Sequence, residues 1–506
     1  MAVELKTMRE TKSSIIIGAG VGGLATAIHL ARKGVHVTIY EKNALHGGRC
    51  GQILRDGHRF DLGATIYLMP SIYRSTFASM GLNIDECISS MPLETIYRMY
   101  FDDGETFDFT TNKELLKAQA ERLEPGSYNR LVTYVETGYR LFRLSMKQLL
   151  GRNFFHVFQF INVKNVGLMF KIKTHVRHMD YIRRFVKHPH LQKAFTFQNI
   201  YVGQNPYTAP ALFAMLPGAE LSEGSLAPKG GMSAIPDALL KVCRELGVEV
   251  ICESPVRRIL VAGNNRVEGV ELEDGSRHVA DLVVANADLP YVYKTLLWDK
   301  RKAWRQRHMS YSCSALVFHW ALDKRYPQLK HHSVFLTEPY KENFKNIFTD
   351  KSIASTPSFY VYSPVGIDPS VAPAGQDSLT VLVPVGHLDS KKNQNWEALT
   401  QTARSFVLQR LKQEGLEELE KHIKFELTGN PVTWNQTFNI VRGAVFGSIS
   451  HSIFQMGYFR PHNRHAKYKN LYFVGGSTHP GNGVPLVLLS AQLTSERILL
   501  DLAHNR

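Results

Sequence analysis

An α/β fold built on a Rossmann-type dinucleotide-binding domain is what the sequence predicts. Three observations predict it: a strand, glycine turn and helix near the start, a second strand ending in an acid, and another strand, glycine turn and helix near the end. Residues 14–17 are a mostly β-branched run that leads into Gly18-Ala19-Gly20-Val21-Gly22-Gly23. Leu24, Ala27, Ile28 and Ala31 then recur at helical spacing until Gly34 stops the helix. Residues 35–41 alternate as a second parallel strand and place Glu41 at its C-terminal end. A glycine triplet alone carries little information, but the flanking strand, helix and acid supply the full βαβ context.

Each residue of this unit has a physical task. Gly18 permits the tight turn, Gly20 lets the backbone approach a pyrophosphate, and Gly23 allows close helix packing, with the phosphate at the positive helix N-terminus. Gly22 and Lys42 belong to the same predicted binding set. Glu41 is placed to accept hydrogen bonds from ribose hydroxyls and to repel a 2′-phosphate. Gly47-Gly48-Arg49 and then Phe60-Asp61-Leu62-Gly63 follow the acid. This extension resembles the fingerprint of flavoproteins of the amine oxidase and phytoene desaturase superfamily, so FAD is the expected cofactor, with Gly48 and Arg49 among its contacts. No second fingerprint for a nicotinamide cofactor occurs, so the flavin is expected to be reoxidised by something other than a stably bound NAD(P)H.

The middle of the chain returns to the same domain. Residues 235–246 read as a helix closed by Gly247, and residues 248–251 as a strand. Further strands are expected at Val256–Val261, Val267–Leu272 and Leu282–Ala285. By the same resemblance, Val256 is where the backbone meets the adenine. Near the end, residues 470–474 form a strand that runs into Gly475-Gly476-Ser477-Thr478-His479-Pro480-Gly481-Asn482-Gly483-Val484-Pro485. Pro485 suits the first turn of a helix running to about Ala503. A helix N-terminus there would offer backbone N–H groups and a positive dipole end to the anionic edge of a reduced flavin. His479 is read as positional.

Across nearly its whole length the chain resembles bacterial and fungal type phytoene desaturases, FAD-dependent carotenoid desaturases. The blocks that carry this are residues 18–49, Tyr201-Val202-Gly203-Gln204-Asn205-Pro206-Tyr207, Pro228-Lys229-Gly230-Gly231-Met232, Pro357-Ser358-Phe359-Tyr360-Val361 and the THPGNGVP ending. Leu226-Ala227 departs from the aromatics often found in that family. The resemblance implies an amine oxidase or glutathione reductase-like FAD domain, an inserted α+β substrate domain and a helical membrane-docking region. It also implies oxidation of an allylic CH2–CH2 unit of a long polyene such as phytoene, with hydride passing to flavin N5. A hydrocarbon substrate offers no hydrogen-bonding handle, so few polar catalytic residues are expected and burial must supply the binding. Glu220 and Glu223, the first acids after a long acid-poor stretch, are the candidate catalytic groups, although solvated loop carboxylates account for them equally. Phe195, Phe197, Tyr201, Tyr207 and Phe213 either line the tunnel or pack the core.

Composition bounds the rest. The 506 residues, 44% hydrophobic, suit a folded chain of about two to four domains. Expected boundaries are FAD-binding at 1–85, 226–295 and 441–506, a substrate and membrane-docking region at 86–225, and a substrate domain at 296–440. Five cysteines without a CxxC pair indicate neither disulfides nor zinc. His175, His178, His188 and His190 lack an accompanying Cys or carboxylate cluster, so no metal is expected. The formal charge is +15, and residues 139–219 hold twelve Lys and Arg against the single acid Asp180. A bias that local, interleaved with Phe, Tyr and Leu, points to an anionic membrane surface. Nucleic acid finds no recognition motif, and no apolar run is long enough to span a bilayer. The expected setting is cytoplasmic and peripheral to a membrane, with quinone or oxygen as electron acceptor. An FAD-dependent carotenoid isomerase, oxygenase or saturase, or a silent carotenoid-binding flavoprotein, are the alternatives.

Overall fold

The computed structural model describes residues 12–160, 167 and 175–504. Lys164, Lys171 and Lys173 of the basic segment, and residues 1–11, lie outside the described residues. Strand β1 is Ser13–Ile17, helix α1 is Val21–Ala31 and strand β2 is His36–Tyr40. The three isoleucines of β1 are buried, as a strand with neighbours on both sides and layers on both faces requires. β1 lies at the centre of a five-stranded sheet ordered Glu249–Ile251, β2, β1, Leu282–Ala285, Leu471–Phe473. Every pairing in it is parallel.

Strands far apart in the chain thus place their carboxyl ends along one edge. Gly18 follows β1, Glu41 follows β2, Asn286 follows Leu282–Ala285, and Val474 with Gly475 follows Leu471–Phe473. In an open parallel sheet that edge is where ligands bind. A three-stranded antiparallel sheet of Val256–Val261, Val267–Leu272 and Arg277–Val279 covers one face. The expected strands over residues 256–285 therefore form with the expected bounds.

A second, seven-stranded sheet is ordered Ile423–Gly429, Ser314–Leu322, Asp377–Val385, Phe359–Tyr362, His332–Leu336, Thr95–Phe101, Thr106–Thr110. It is antiparallel except where His332–Leu336 runs parallel to Thr95–Phe101. Helices Ser127–Ser145 and Met215–Glu223 pack beside it at a glycine crossing. A Cβ at Gly138 would lie 2.3 Å from the Ala214 carbonyl oxygen, and one at Gly218 2.5 Å from Gly138 C. This close approach brings Glu220 against the seven-stranded sheet. Among the described residues, no helix is long and apolar enough to cross a membrane. Nor are all the basic residues a solvated face, since Lys193 is buried and pairs with Glu338.

Candidate functional site

One continuous cavity of about 770 Å3 runs from the carboxyl edge of the parallel sheet into the space between the second sheet and the helices. Its first half is polar and glycine-lined. Gly18 adopts φ 99°, and a Cβ at Gly23 would fall 2.2 Å from the Gly18 carbonyl oxygen. Only glycine lets α1 start so close to the turn. Asn286 Nδ2 donates to that same carbonyl oxygen at 3.1 Å. Glu41 is buried; its Oε2 accepts the Ala19 N–H and its Oε1 the Asn43 N–H, both at 2.8 Å. The carboxylate therefore fixes the glycine turn and still has lone pairs to offer a ribose. Lys42 Nζ donates to the Gln436 carbonyl oxygen at 2.8 Å, which ties this corner to the second half of the chain.

Arg49 crosses the floor. Its Nη1 donates to the Val445 carbonyl oxygen at 2.8 Å, and burial pulls its pKa down while Asp288 works the other way. Burial pushes the Asp288 carboxyl up, and the Val441 N–H that it accepts at 2.9 Å opposes this. Gly475, Gly476, Gly483, Val484 and Pro485 line the opposite wall, where helix Val484–His504 begins. A Cβ at Gly48 or Gly483 would meet nothing nearer than 3.5 Å and 3.9 Å, so bare backbone faces the cavity. Asn482 Oδ1 is buried there without a partner. Bare backbone, a helix N-terminus, a buried acid and an unpartnered amide oxygen fit a dinucleotide with a polar ring edge.

Residues 21–499 match the family described as flavin containing amine oxidoreductase. The chain belongs to that family. It is 39% identical over 487 residues to a zeta-carotene-forming phytoene desaturase of Myxococcus xanthus, covering 96% of this chain and 93% of the relative. It is 36% identical to a phytoene desaturase of Fusarium fujikuroi, over 97% of this chain and 90% of that one. Among solved structures it is similar to an oxidoreductase from Methanosarcina mazei, with TM-score 0.60, 17% identity and coverage of 95% and 98%. A putrescine oxidase bound to putrescine superposes with TM-score 0.61 at 14% identity, covering 97% and 99%. At those identities the likeness is one of fold. This member of the flavin containing amine oxidoreductase family is an FAD-dependent oxidoreductase, and FAD is the cofactor that its cavity must take.

The predicted set falls as follows in this flavoenzyme. Gly18, Gly20, Gly22, Glu41, Lys42, Gly48, Arg49, Val256, Gly475, Gly476, Gly483, Val484 and Pro485 line the cavity, and Gly23 stands behind the turn. Glu220 and Glu223 do not line it. Glu220 is 1% exposed, accepts the Tyr97 hydroxyl at 2.6 Å, and burial pushes its carboxyl up to about 8. Glu223 sits at the surface, where it accepts from Ser71 Oγ at 2.8 Å. Of the five aromatics, Phe197 and Tyr201 reach the cavity, whereas Phe195 and Phe213 are core and Tyr207 packs against Tyr340 and Phe344.

His178 is buried between Tyr134 and Asn199 and held down to about 4, as a neutral core histidine. No group of three or more potential metal ligands occurs among the described residues. His479 Nε2 lies 3.0 Å from the Arg152 carbonyl oxygen and off the cavity wall, a positional contact. The second half of the cavity is apolar, lined among others by Phe142, Leu150, Met215, Leu336, Phe344 and Phe359. Thr65, Asn343 and Tyr360 interrupt it. Sequence reasoning missed these three as wall residues because their neighbours come from distant strands and loops.

Proposed function

We propose that this flavoenzyme desaturates a long polyene precursor such as phytoene, introducing conjugated C=C bonds at a membrane surface. One observation carries the reading: the apolar half of the cavity is continuous with the dinucleotide cradle. That is the shape an elongated hydrocarbon needs if one of its carbons is to meet a flavin. The desaturase names of the relatives at 36–39% identity agree with it.

Bound FAD supplies the acceptor for two electrons and a hydrogen. The chain does the rest. Glu41, Lys42 and the Gly18 turn fit the adenosine and phosphate part, with Val256 beside the adenine. Arg49, Gly475, Gly476 and the first turn at Gly483, Val484 and Pro485 fit the ring end, where N–H groups and the helix dipole favour negative charge. The apolar walls remove the polyene from water at roughly 25 cal/mol per Å2, exclude solvent and fix which carbons face the ring. Glu220 is read as holding Tyr97, and through it Phe197 of the wall, rather than touching substrate: Tyr97 and Phe197 stack edge-on at 4.9 Å.

The same reading makes residues 1–85, 226–295 and 441–506 the FAD-binding unit, 296–440 the substrate domain, and 86–225 the substrate and membrane-docking region. Purified FAD-loaded protein with liposomes containing 15-cis-phytoene, given quinone or oxygen, should yield products of longer-wavelength polyene absorbance. Flavin bound with an unchanged polyene spectrum under both acceptors would refute the desaturase reading.

A further inference from the structure

The apolar half of the cavity has a polar spot with a base behind it. Thr65 and Tyr360 both line the wall; the Tyr360 hydroxyl donates to Thr65 Oγ1 at 2.9 Å and its oxygen lies 2.7 Å from Nδ1 of His332. The spot borders the cradle: Gly63, two residues before Thr65, sits so close to Arg49 that a Cβ there would fall 2.7 Å from the Arg49 carbonyl oxygen. His332 is 1% exposed and stands behind Tyr360, off the wall, with Nε2 unpartnered. Burial and the neighbouring His331 keep its ring neutral, well below the usual imidazole range. Tyr201, also on the wall, carries a second buried hydroxyl without a partner.

The inference rests on the desaturase reading. Turning CH2–CH2 into CH=CH removes one hydrogen with its bonding electrons, which pass to the oxidised flavin. The adjacent carbon gives up a proton, and the electrons of that C–H bond become the second bond of the alkene. A C–H next to a carbon losing hydride is strongly acidic, so a weak base suffices, but in an apolar chamber it must be within reach. Glu220 and Glu223 are off the wall. We propose that Tyr360 is the proton acceptor: its hydroxyl turns from Thr65 to His332, and its oxygen takes the proton from the polyene as its own hydroxyl proton passes to Nδ1 of His332. The relay ends with a neutral tyrosine and an imidazolium, and charge balances. Tyr360 is the catalytic residue here, and His332 acts through it.

The test compares wild type, Y360F and H332Q, each loaded with FAD, on phytoene in liposomes, unlabelled and deuterated at the proton-losing carbons. The side-chain amide of the H332Q variant would still offer the hydroxyl a hydrogen bond but could not take its proton. Both variants should lose about 100-fold in kcat, the scale of general-base catalysis, with a larger isotope effect at the proton-losing carbon. FAD content, thermal midpoint and phytoene binding, read by quenching of flavin fluorescence, should hold. If Y360F does not fold, H332Q alone carries the test. Full kcat or an unchanged isotope effect in a folded variant would overturn the proposal while leaving the desaturase reading intact. A wild-type protein that holds FAD and leaves phytoene unchanged would overturn both.

Discussion

The Tyr97 hydroxyl donates to Glu220 Oε2 across 2.6 Å in a site closed to water, and Gln198 Nε2 donates to the Tyr97 oxygen at 2.7 Å. Burial raises the Glu220 carboxyl from 4.5 to about 8, so the folded protein keeps it protonated at neutral pH while the unfolded chain ionises it. Below pH 4.5 both states hold the proton and the fold has its full stability from this group. As pH rises from 4.5 towards 8 that stability is lost, on the order of 5 kcal/mol in all, and above 8 the loss levels off. Glu220→Gln removes the proton exchange. Its thermal midpoint should therefore gain on wild type as pH rises from 5 to 8, in a differential scanning series; parallel curves would show that Glu220 does not titrate in this window.

The glycine turn makes a second test. A Cβ at residue 23 would stand 2.2 Å from the Gly18 carbonyl oxygen, and neither backbone can yield without moving the turn. Gly23→Ala should purify folded but with little flavin, read from absorbance near 450 nm against protein, while Gly263→Ala, where a Cβ meets nothing within 4 Å, should keep its flavin.

Much of this cradle was legible because its information is local: turn, helix and acid of the βαβ unit follow one another within residues 13–41. The THPGNGVP ending is local in the same way. What stayed hidden is non-local. The pairing of His332–Leu336 with Thr95–Phe101 depends on register between distant segments. Tyr360 was visible as part of a family block, yet its partners Thr65 and His332 belong to other elements. Glu220 was singled out, but burial, not sequence neighbourhood, sets its protonation. Arg460 drew no notice because a guanidinium without an acid nearby looks like a surface residue.

Arg460 is 1% exposed and donates to the carbonyl oxygens of Ile449, Ser450, Gln455, Gly476 and Thr478. It joins the 449–455 loop to the turn that carries Gly475 and Gly476 on the cavity wall, and burial pulls its pKa down to about 9. Arg460→Met would leave these carbonyls unsatisfied, at about 1–3 kcal/mol for each buried group that finds no other partner. The expected outcome is a urea midpoint lowered by several kcal/mol equivalent together with weaker FAD retention. Arg460→Lys, with three donors, should recover part of both. An unaltered midpoint in Arg460→Met would remove Arg460 from the groups that shape the cradle.

Phe158 and Phe454 are 80% and 81% exposed, too large a pair of apolar side chains to leave to chance when Phe155 and Phe459 are exposed beside them in sequence. The two segments meet at Phe160, whose ring lies 5.6 Å from that of Phe459 and 6.3 Å from that of Tyr458. Phe160 belongs to the same core cluster as Phe142, Met215 and Leu216, which line the apolar end of the cavity. Arg497 lies over the Phe155 ring at 4.2 Å and Arg152 over Phe154 at 5.3 Å, so cations border the aromatics. On the proposed function, rings that enter the acyl boundary beside cations at headgroup level would hold the cavity end against a membrane. The double variant Phe158→Ser, Phe454→Ser should lose about tenfold or more in affinity for phosphatidylglycerol vesicles, given roughly 150–250 Å2 of surface per aromatic ring. Its FAD content should stay at the wild-type level. Charge reversal at Arg183 and Arg184, two of the twelve basic residues of the 139–219 segment, should weaken the same binding if that segment contributes. Vesicle sedimentation that is the same for the Phe double variant and wild type would overturn a docking role for these rings.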